Sequence, residues 1–245
     1  MSAPTSTLNS PAVPPLTLLL IPGFMCDASL WQAMLPALSA IAPVRFADIN
    51  EGGSIEAMAV RIAATLPERC VLIGFSLGGY VARRVAYLAP DKLAGLVLLN
   101  TSARASTAQE LSRNQQQISM SQLYPFKGQT LTALKRALHP DRTDDAALLA
   151  HLQAMSLNLG KEVFLRQLGL VRHDGHAELA QITCPGLVIS SRNDQMRAIE
   201  EAGKLTNGLP DSKLHILEDC GHMSPLEQPE IVCQLLRDWL QSKLA

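Results

Sequence analysis

Two hydrophobic periods alternate along this chain. Nearly continuous apolar runs at Leu16–Ile21, Cys70–Phe75, Leu93–Asn100 and Pro185–Ser191 have the length of buried strands, and the shorter, mixed stretches Val44–Ile49 and Lys213–Leu217 also read as strands. Between them, Leu30–Ile41, Ile55–Leu66, Leu77–Leu88, Ile199–Leu205 and Pro229–Leu244 repeat their apolar residues every three or four positions, as one face of a helix does. Ser54 caps the second of these helices, Pro90 stops the third, and Pro229 opens the last, where a first turn tolerates proline. Strands separated by helices of this length pair in parallel through right-handed crossovers. The expected fold class is therefore α/β, a mostly parallel sheet flanked by helices.

Residues 103–180 interrupt the alternation. They hold no convincing strand, but amphipathic helical stretches at Thr107–Leu123, Gln129–Leu138, Asp144–Leu159 and Lys161–Val171. The organisation read from this pattern is a loose Ser/Thr/Pro-rich tail over 1–15, a core formed by 16–102 and 181–245, and a helical cap over 103–180, inserted above the carboxyl edge of the sheet.

Composition narrows the function classes. The 245 residues are 47% apolar and 18% charged, enough for a core and too apolar for a disordered chain. With a formal charge of −1 and no lysine/arginine run, the chain lacks the footprint of a nucleic-acid partner. Cys26, Cys70, Cys184, Cys220 and Cys233 are odd in number and carry no zinc spacing, which predicts reduced thiols and a cytoplasmic protein. The first fifteen residues contain no lysine or arginine and so lack a signal peptide's basic segment, and the apolar runs are too short to span a membrane.

The chemistry begins at Cys70-Val-Leu-Ile-Gly-Phe-Ser-Leu-Gly-Gly79. Gly74, Ser76 and Gly78 spell G-x-S-x-G, with a buried strand entering and an amphipathic helix leaving. That context marks a nucleophile elbow: small residues admit a sharp turn that exposes the serine at the start of a helix. An ordinary Gly/Ser-rich turn is the alternative. A serine hydroxyl needs a base. His222, in the loop Glu218–Pro225, opens on the same sheet edge, and Gly221 is expected to permit an unusual backbone beside it. His215 lies within a strand; His139, His151, His173 and His176 belong to the insertion, and no partner ligands cluster with the His173-x-x-His176 pair.

The imidazole needs a carboxylate to hold its tautomer. Asp194 follows the strand ending at Ser190, whereas Glu218 and Asp219 adjoin His222 too closely to point back at it, and Asn100 has no charge. The chain order Ser76, Asp194, His222 selects Asp194. Oxyanion donors are expected from the backbone of Leu77 and of Phe24, in the turn Pro22–Cys26, where Gly23 allows close approach. The residues flanking this set, Met25, Phe75, Met196 and Met223 besides Phe24 and Leu77, are apolar, which suggests an uncharged acyl or alkyl group at the reacting carbon. Plain core packing is the alternative for each.

With these residues in place, the chain resembles the α/β-hydrolase superfamily from Leu16 to Leu244. It is most similar to small capped bacterial carboxylesterases, those acting on pimeloyl carrier-protein methyl ester, and to 3-oxoadipate enol-lactonases. The matching stretches are Leu18–Trp31, Gly74–Ala82, Leu96–Arg104, Pro185–Asp194 and Gly221–Pro229. The resemblance implies Ser76 as nucleophile, Asp194 as acid, His222 as base and a helical cap over the site, with no cofactor or metal. It implies hydrolysis of an ester, lactone or thioester of a small to medium apolar acyl group. An acyltransferase, a C–C bond hydrolase and a non-catalytic ligand-binding module are the alternatives. Two departures stand out: no antiparallel hairpin precedes Leu16, so the sheet edge is short or completed by another copy, and Pro22 occupies a position where relatives often carry histidine. The insertion, with nine Lys/Arg and seven Asp/Glu, is +2 against −3 for the remainder, a bias compatible with an acyl-carrier protein as partner and equally with chance.

Overall fold

The computed structural model describes residues 13–244, so most of the expected tail lies outside the described residues. Six strands form one parallel sheet in the order β2-β1-β3-β4-β5-β6: β1 Thr17–Ile21, β2 Val44–Phe46, β3 Cys70–Phe75, β4 Leu93–Leu99, β5 Gly186–Ser191 and β6 Ser212–Leu217. Every pairing is parallel, and among the described residues no antiparallel strand precedes β1. The edge strand β2 is half the length of the predicted stretch, ending at Phe46 before Asp48.

The four inner strands, β1, β3, β4 and β5, are apolar on both faces because both faces are covered. Leu18, Leu20, Val71, Ile73, Val97 and Ile189 point to one side, where they pack with α1 (Leu35–Ser39) and α10 (Pro229–Leu244). The alternate residues Leu19, Ile21, Leu72, Leu96, Leu98 and Val188 point to the other, under α2 (Ile55–Ala64), α3 (Leu77–Leu88) and α8 (Ile199–Gly208). This period of two on a sheet sandwiched by helices explains why the runs of β1, β3, β4 and β5 show no polar alternation, whereas the edge strand β6 alternates, with Lys213 and His215 exposed.

Helical boundaries follow local chemistry. The stretch Leu30–Ile41 is two pieces, a 3-10 turn at Ala28–Trp31 capped by Asp27 and the short α1, with Pro36 in its first turn. Between β4 and β5 lie α4 (Ala108–Leu123), α5 (Leu131–Arg136), α6 (Ala146–Leu168) and α7 (His176–Leu179). Thr107 and Glu110 close a reciprocal capping box on α4. The two predicted stretches Asp144–Leu159 and Lys161–Val171 join as α6, but the break between them is real: Gly160, at φ 79° and ψ 179°, kinks it. One further turn, α9 (Ser224–Glu227), separates the His222 loop from α10.

Strand order reverses between β1 and β3, since β1 connects outward to β2 and β3 lies on its other side. Crevices at such a switch point, beyond the carboxyl ends of the strands, are where open α/β sheets bind ligands. The β1 and β3 loops there carry Gly23–Cys26 and Ser76.

Candidate active site

Ser76 joins β3 directly to α3 with φ 50° and ψ −113°, a conformation that costs a non-glycine residue about 1–3 kcal/mol. Three contacts hold it there. The Ser76 N–H donates to Leu99 O at 2.9 Å, while its carbonyl accepts from Thr101 Oγ1 at 2.6 Å and from the Gly79 N–H at 3.0 Å. The glycines are needed for room. A Cβ on Gly78 would sit 2.3 Å from the Ile21 and Pro22 carbonyl oxygens, and one on Gly74 would be 2.6 Å from Gly78 O. Although Ser76 occupies the N-cap position of α3, its hydroxyl makes no capping bond and is free to face the cavity.

The hydroxyl meets a histidine. His222 Nε2 lies 2.8 Å from Ser76 Oγ, and His222 Nδ1 lies 2.7 Å from Asp194 Oδ2. An ionised carboxylate only accepts, so Nδ1–H donates to Asp194 and Nε2 is left to accept the serine proton. Both side chains of this pair are enclosed: that of Asp194 is fully buried, and the His222 ring packs against Phe75 with centroids 5.1 Å apart. Burial opposes charge on Asp194, but His222, Asn100 and the Met196 N–H outweigh it and hold the carboxyl below its ordinary value.

Asn100, set aside in the sequence for lacking charge, belongs to this arrangement. It is fully buried at the end of β4 with φ 45°, a conformation asparagine tolerates better than most residues. Its Nδ2 donates to Asp194 Oδ2 at 3.0 Å and Ser191 Oγ at 2.9 Å, while its Oδ1 accepts from Ser224 Oγ at 2.6 Å. The backbone N–H groups of Met196 and Arg197 donate to the other Asp194 oxygen. The rival acids are engaged elsewhere or turned away: Glu218 pairs with Arg192, and Asp219 takes φ 50°. Asp219 therefore adopts the unusual backbone expected of Gly221. What Gly221 supplies is clearance, since a Cβ there would be 2.2 Å from the His139 N.

The His222 loop is clipped to residues between β4 and β5. The His222 and Met223 N–H groups donate to Ala137 O, and the Glu227 carboxylate accepts from the His139 and Met223 N–H groups. Burial raises the Glu227 pKa despite those donors.

A cavity of about 590 Å³ opens on Ser76 and His222. Phe24, Phe75, Leu77, Met196 and Met223 are among its walls, as the sequence suggested; Gly23 and Met25 are not. Gly23 lies against Phe75 and Ser76, where a Cβ would be 2.8 Å from the Phe75 ring. Met25 turns inward at φ 52°, only 1% exposed, and its N–H donates to the Gln167 side chain of α6 at 2.8 Å. Neither the Leu77 nor the Phe24 N–H donates to a protein acceptor among the described residues. Phe126 and Phe164 extend an apolar wall from Phe24, with ring centroids 5.2 and 5.9 Å apart in the two pairs. The walls are not uniformly apolar: Arg172 and Arg197 also line the cavity, and neither was singled out in the sequence, although Arg197 directly follows Met196. Cys26 lines it too, but burial pushes its thiol up to about 12, so it is no thiolate at neutral pH. No group of His, Cys, Asp and Glu able to hold a metal ion occurs among the described residues.

A sequence profile described as the alpha/beta hydrolase family matches residues 18–235. The chain belongs to the alpha/beta hydrolase family. Among relatives of this hydrolase, RutD of Stutzerimonas stutzeri, a candidate carbamate hydrolase, is 30% identical over 249 residues, covering 91% of each chain. The pimeloyl-[acyl-carrier protein] methyl ester esterase of Aromatoleum aromaticum is 28% identical over 247 residues, covering 90% of this chain and 96% of that protein. The hydrolase spans 47% of a longer relative, the bifunctional biotin biosynthesis protein BioHC of Cellvibrio japonicus. Among solved structures, a thermophilic esterase from Thermogutta terrifontis superposes with a TM-score of 0.76 at 25% identity, over 93% of this chain and 90% of that one.

Proposed function

We propose that this hydrolase cleaves a carboxylic ester through an acyl-enzyme, with Ser76, His222 and Asp194 as its triad. The observation that carries this reading is the 2.8 Å approach of His222 Nε2 to an uncapped serine hydroxyl. His222 Nε2 takes the Ser76 proton as Oγ bonds to the ester carbonyl carbon and the C=O π pair moves onto oxygen. The free N–H groups of Leu77 and Phe24 are the donors for that oxyanion. When the tetrahedral species collapses, the bond to the alcohol oxygen breaks and His222 returns the proton to it. Water then gives a proton to His222 while its oxygen bonds to the acyl carbon; Ser76 Oγ leaves, regains the proton, and the acid departs. Asp194 stays ionised throughout, orienting the imidazole and stabilising its charged form.

In this reading residues 103–180 act as the cap, since they supply Phe126, Phe164 and Gln167 to the cavity wall. The aromatic wall fits an apolar acyl or alkyl group. Arg113, Lys127 and Arg136, also on the cavity wall and without carboxylate partners among the described residues, are the features that would face an acidic carrier protein. Five unpaired thiols support a cytoplasmic setting, and no helix of the described residues is long and apolar enough to cross a membrane.

The likeness to RutD favours one second reading, hydrolysis of a carbamate by the same serine attack. Rates on p-nitrophenyl esters and p-nitrophenyl carbamates separate the two. The ester reading expects the higher kcat/KM on an ester and a loss of at least about 10⁴-fold in Ser76→Ala. Faster turnover of the carbamate would move the substrate class, and a Ser76→Ala variant with most of its activity would remove the mechanism.

A further inference from the structure

Beyond the triad, two arginines of the cavity wall, Arg172 and Arg197, flank a phenol buried behind it, Tyr80. The Arg172 guanidinium lies 5.5 Å, and that of Arg197 5.9 Å, from the centre of the Tyr80 ring. Tyr80 is 1% exposed and stands four residues along α3 from Ser76, about 6 Å of helix rise. Three donors here are buried without a partner among the described residues: Tyr80 Oη, Arg172 Nε and Arg197 Nε. Buried donors in folded proteins are almost always satisfied, by protein, water or ligand.

The charges around this wall do not cancel. The carboxylates that face it are Glu110 and Glu201, and Arg104 engages both, through Glu110 Oε1 at 2.7 Å and Glu201 Oε1 at 2.6 Å. Glu110 also pairs with Arg172 at 2.9 Å. Two carboxylates thus serve Arg104 and Arg172, while Arg197 forms no ion pair among the described residues; its Nη1 donates only to the Met196 carbonyl. Arg197 thus presents an unpaired guanidinium to a cavity whose wall also carries Arg113, Lys127 and Arg136 without carboxylate partners among the described residues.

We infer that the Arg172–Arg197 wall over Tyr80 is a subsite for a carboxylate carried by the substrate, so that the ester cleaved at Ser76 is a half-ester of a short dicarboxylic acid. This deepens, and rests on, the ester-hydrolase reading. A carboxylate suits the wall because two guanidinium groups, Arg172 and Arg197, line the cavity there and Arg197 has no carboxylate partner among the described residues. It leaves the expectation of an uncharged group at the reacting carbon in place: the apolar residues flank that carbon, and the arginines lie beside Tyr80, a helical turn from Ser76.

The test compares mono-p-nitrophenyl glutarate with its neutral methyl ester on the wild type, Arg197→Gln and Arg197→Lys. The wild type should favour the charged substrate, and the ratio of kcat/KM, charged over neutral, should fall at least tenfold in Arg197→Gln and partly recover in Arg197→Lys. An unchanged ratio would overturn the subsite. Binding of glutarate and of inorganic phosphate to Ser76→Ala, followed by calorimetry, separates this from failure of the hydrolase reading. Glutarate binding that is lost in Ser76→Ala/Arg197→Gln supports the subsite even if neither ester is turned over. Tighter binding of phosphate than of glutarate, or glutarate binding that ignores Arg197, would overturn it.

Discussion

Asn100 Nδ2 donates at 3.0 Å to Asp194 Oδ2, the same oxygen that accepts the hydrogen bond from His222 Nδ1–H at 2.7 Å. The asparagine thereby fixes the carboxylate from behind, and its own carbonyl is pinned by Ser224. Removing it leaves Asp194 with one donor fewer on that oxygen and forces alanine into a left-handed backbone.

Asn100→Ala should therefore lower kcat about tenfold, the equivalent of one hydrogen bond to a charged group, about 1.5 kcal/mol. Because Asn100 helps hold the Asp194 pKa down, the acidic limb of the pH–rate profile should move to higher pH. A pH–rate series on a p-nitrophenyl ester measures both; a variant with lowered kcat but an unmoved limb would make Asn100 a purely structural residue.

Asp194 and Glu227 should leave opposite marks on stability against pH. The Asp194 pKa is lowered by folding, so its contribution is full above the unfolded value, about 3.9, and is lost as pH falls through the folded value. The Glu227 pKa is raised by burial, so its contribution is full below the unfolded value, about 4.3, and is lost as pH rises through the folded value. Urea titrations over this range should show wild type losing stability relative to Glu227→Gln as pH rises, and losing it relative to Asp194→Asn as pH falls. A reversed slope for either pair would contradict the corresponding assignment.

Two glycines should respond in opposite directions to alanine. Gly78→Ala drives a Cβ into the β1 carbonyls at 2.3 Å and should destabilise by about 3 kcal/mol, the upper range for overpacking, with loss of activity. Gly203, on α8, has nothing within 4 Å, so Gly203→Ala should stabilise by about 0.5–1 kcal/mol. Thermal melts of the two variants beside wild type decide this directly.

Gln167 ties the roof of the cavity to the loop that carries Phe24. Gln167→Ala leaves the buried Met25 N–H without an acceptor, which costs about 1–3 kcal/mol. If that loop supplies an oxyanion donor, kcat should fall while Gln167→Glu, which restores the acceptor oxygen, recovers most of it. Steady-state kinetics of the two variants is the check.

Much of this architecture was readable in the chain because both sheet faces are covered. Continuous apolar runs such as Cys70–Phe75 have no other use in a chain of this composition, and the G-x-S-x-G turn marks where one strand must end. Gly160 separated two helical patterns at the residue where α6 kinks. What the pattern hid depends on long-range geometry. Pro36 split a predicted helix, Met25 turned into the core rather than the cavity, and Asp219 took the left-handed backbone expected of Gly221. Asn100 was passed over because charge was the criterion, whereas its use is to donate to a charge. Arg172 and Arg197 lie 25 positions apart in the chain and are brought together by packing on Tyr80, a juxtaposition no local pattern encodes.

The central claim is that Ser76 is the nucleophile, activated by His222. Labelling with a fluorophosphonate probe, followed by peptide mapping, tests it most directly. Stoichiometric modification of Ser76 in the wild type, none in Ser76→Ala, and strongly slowed modification in His222→Ala is the predicted result. A folded wild-type protein that the probe labels elsewhere, or labels equally fast without His222, would contradict it.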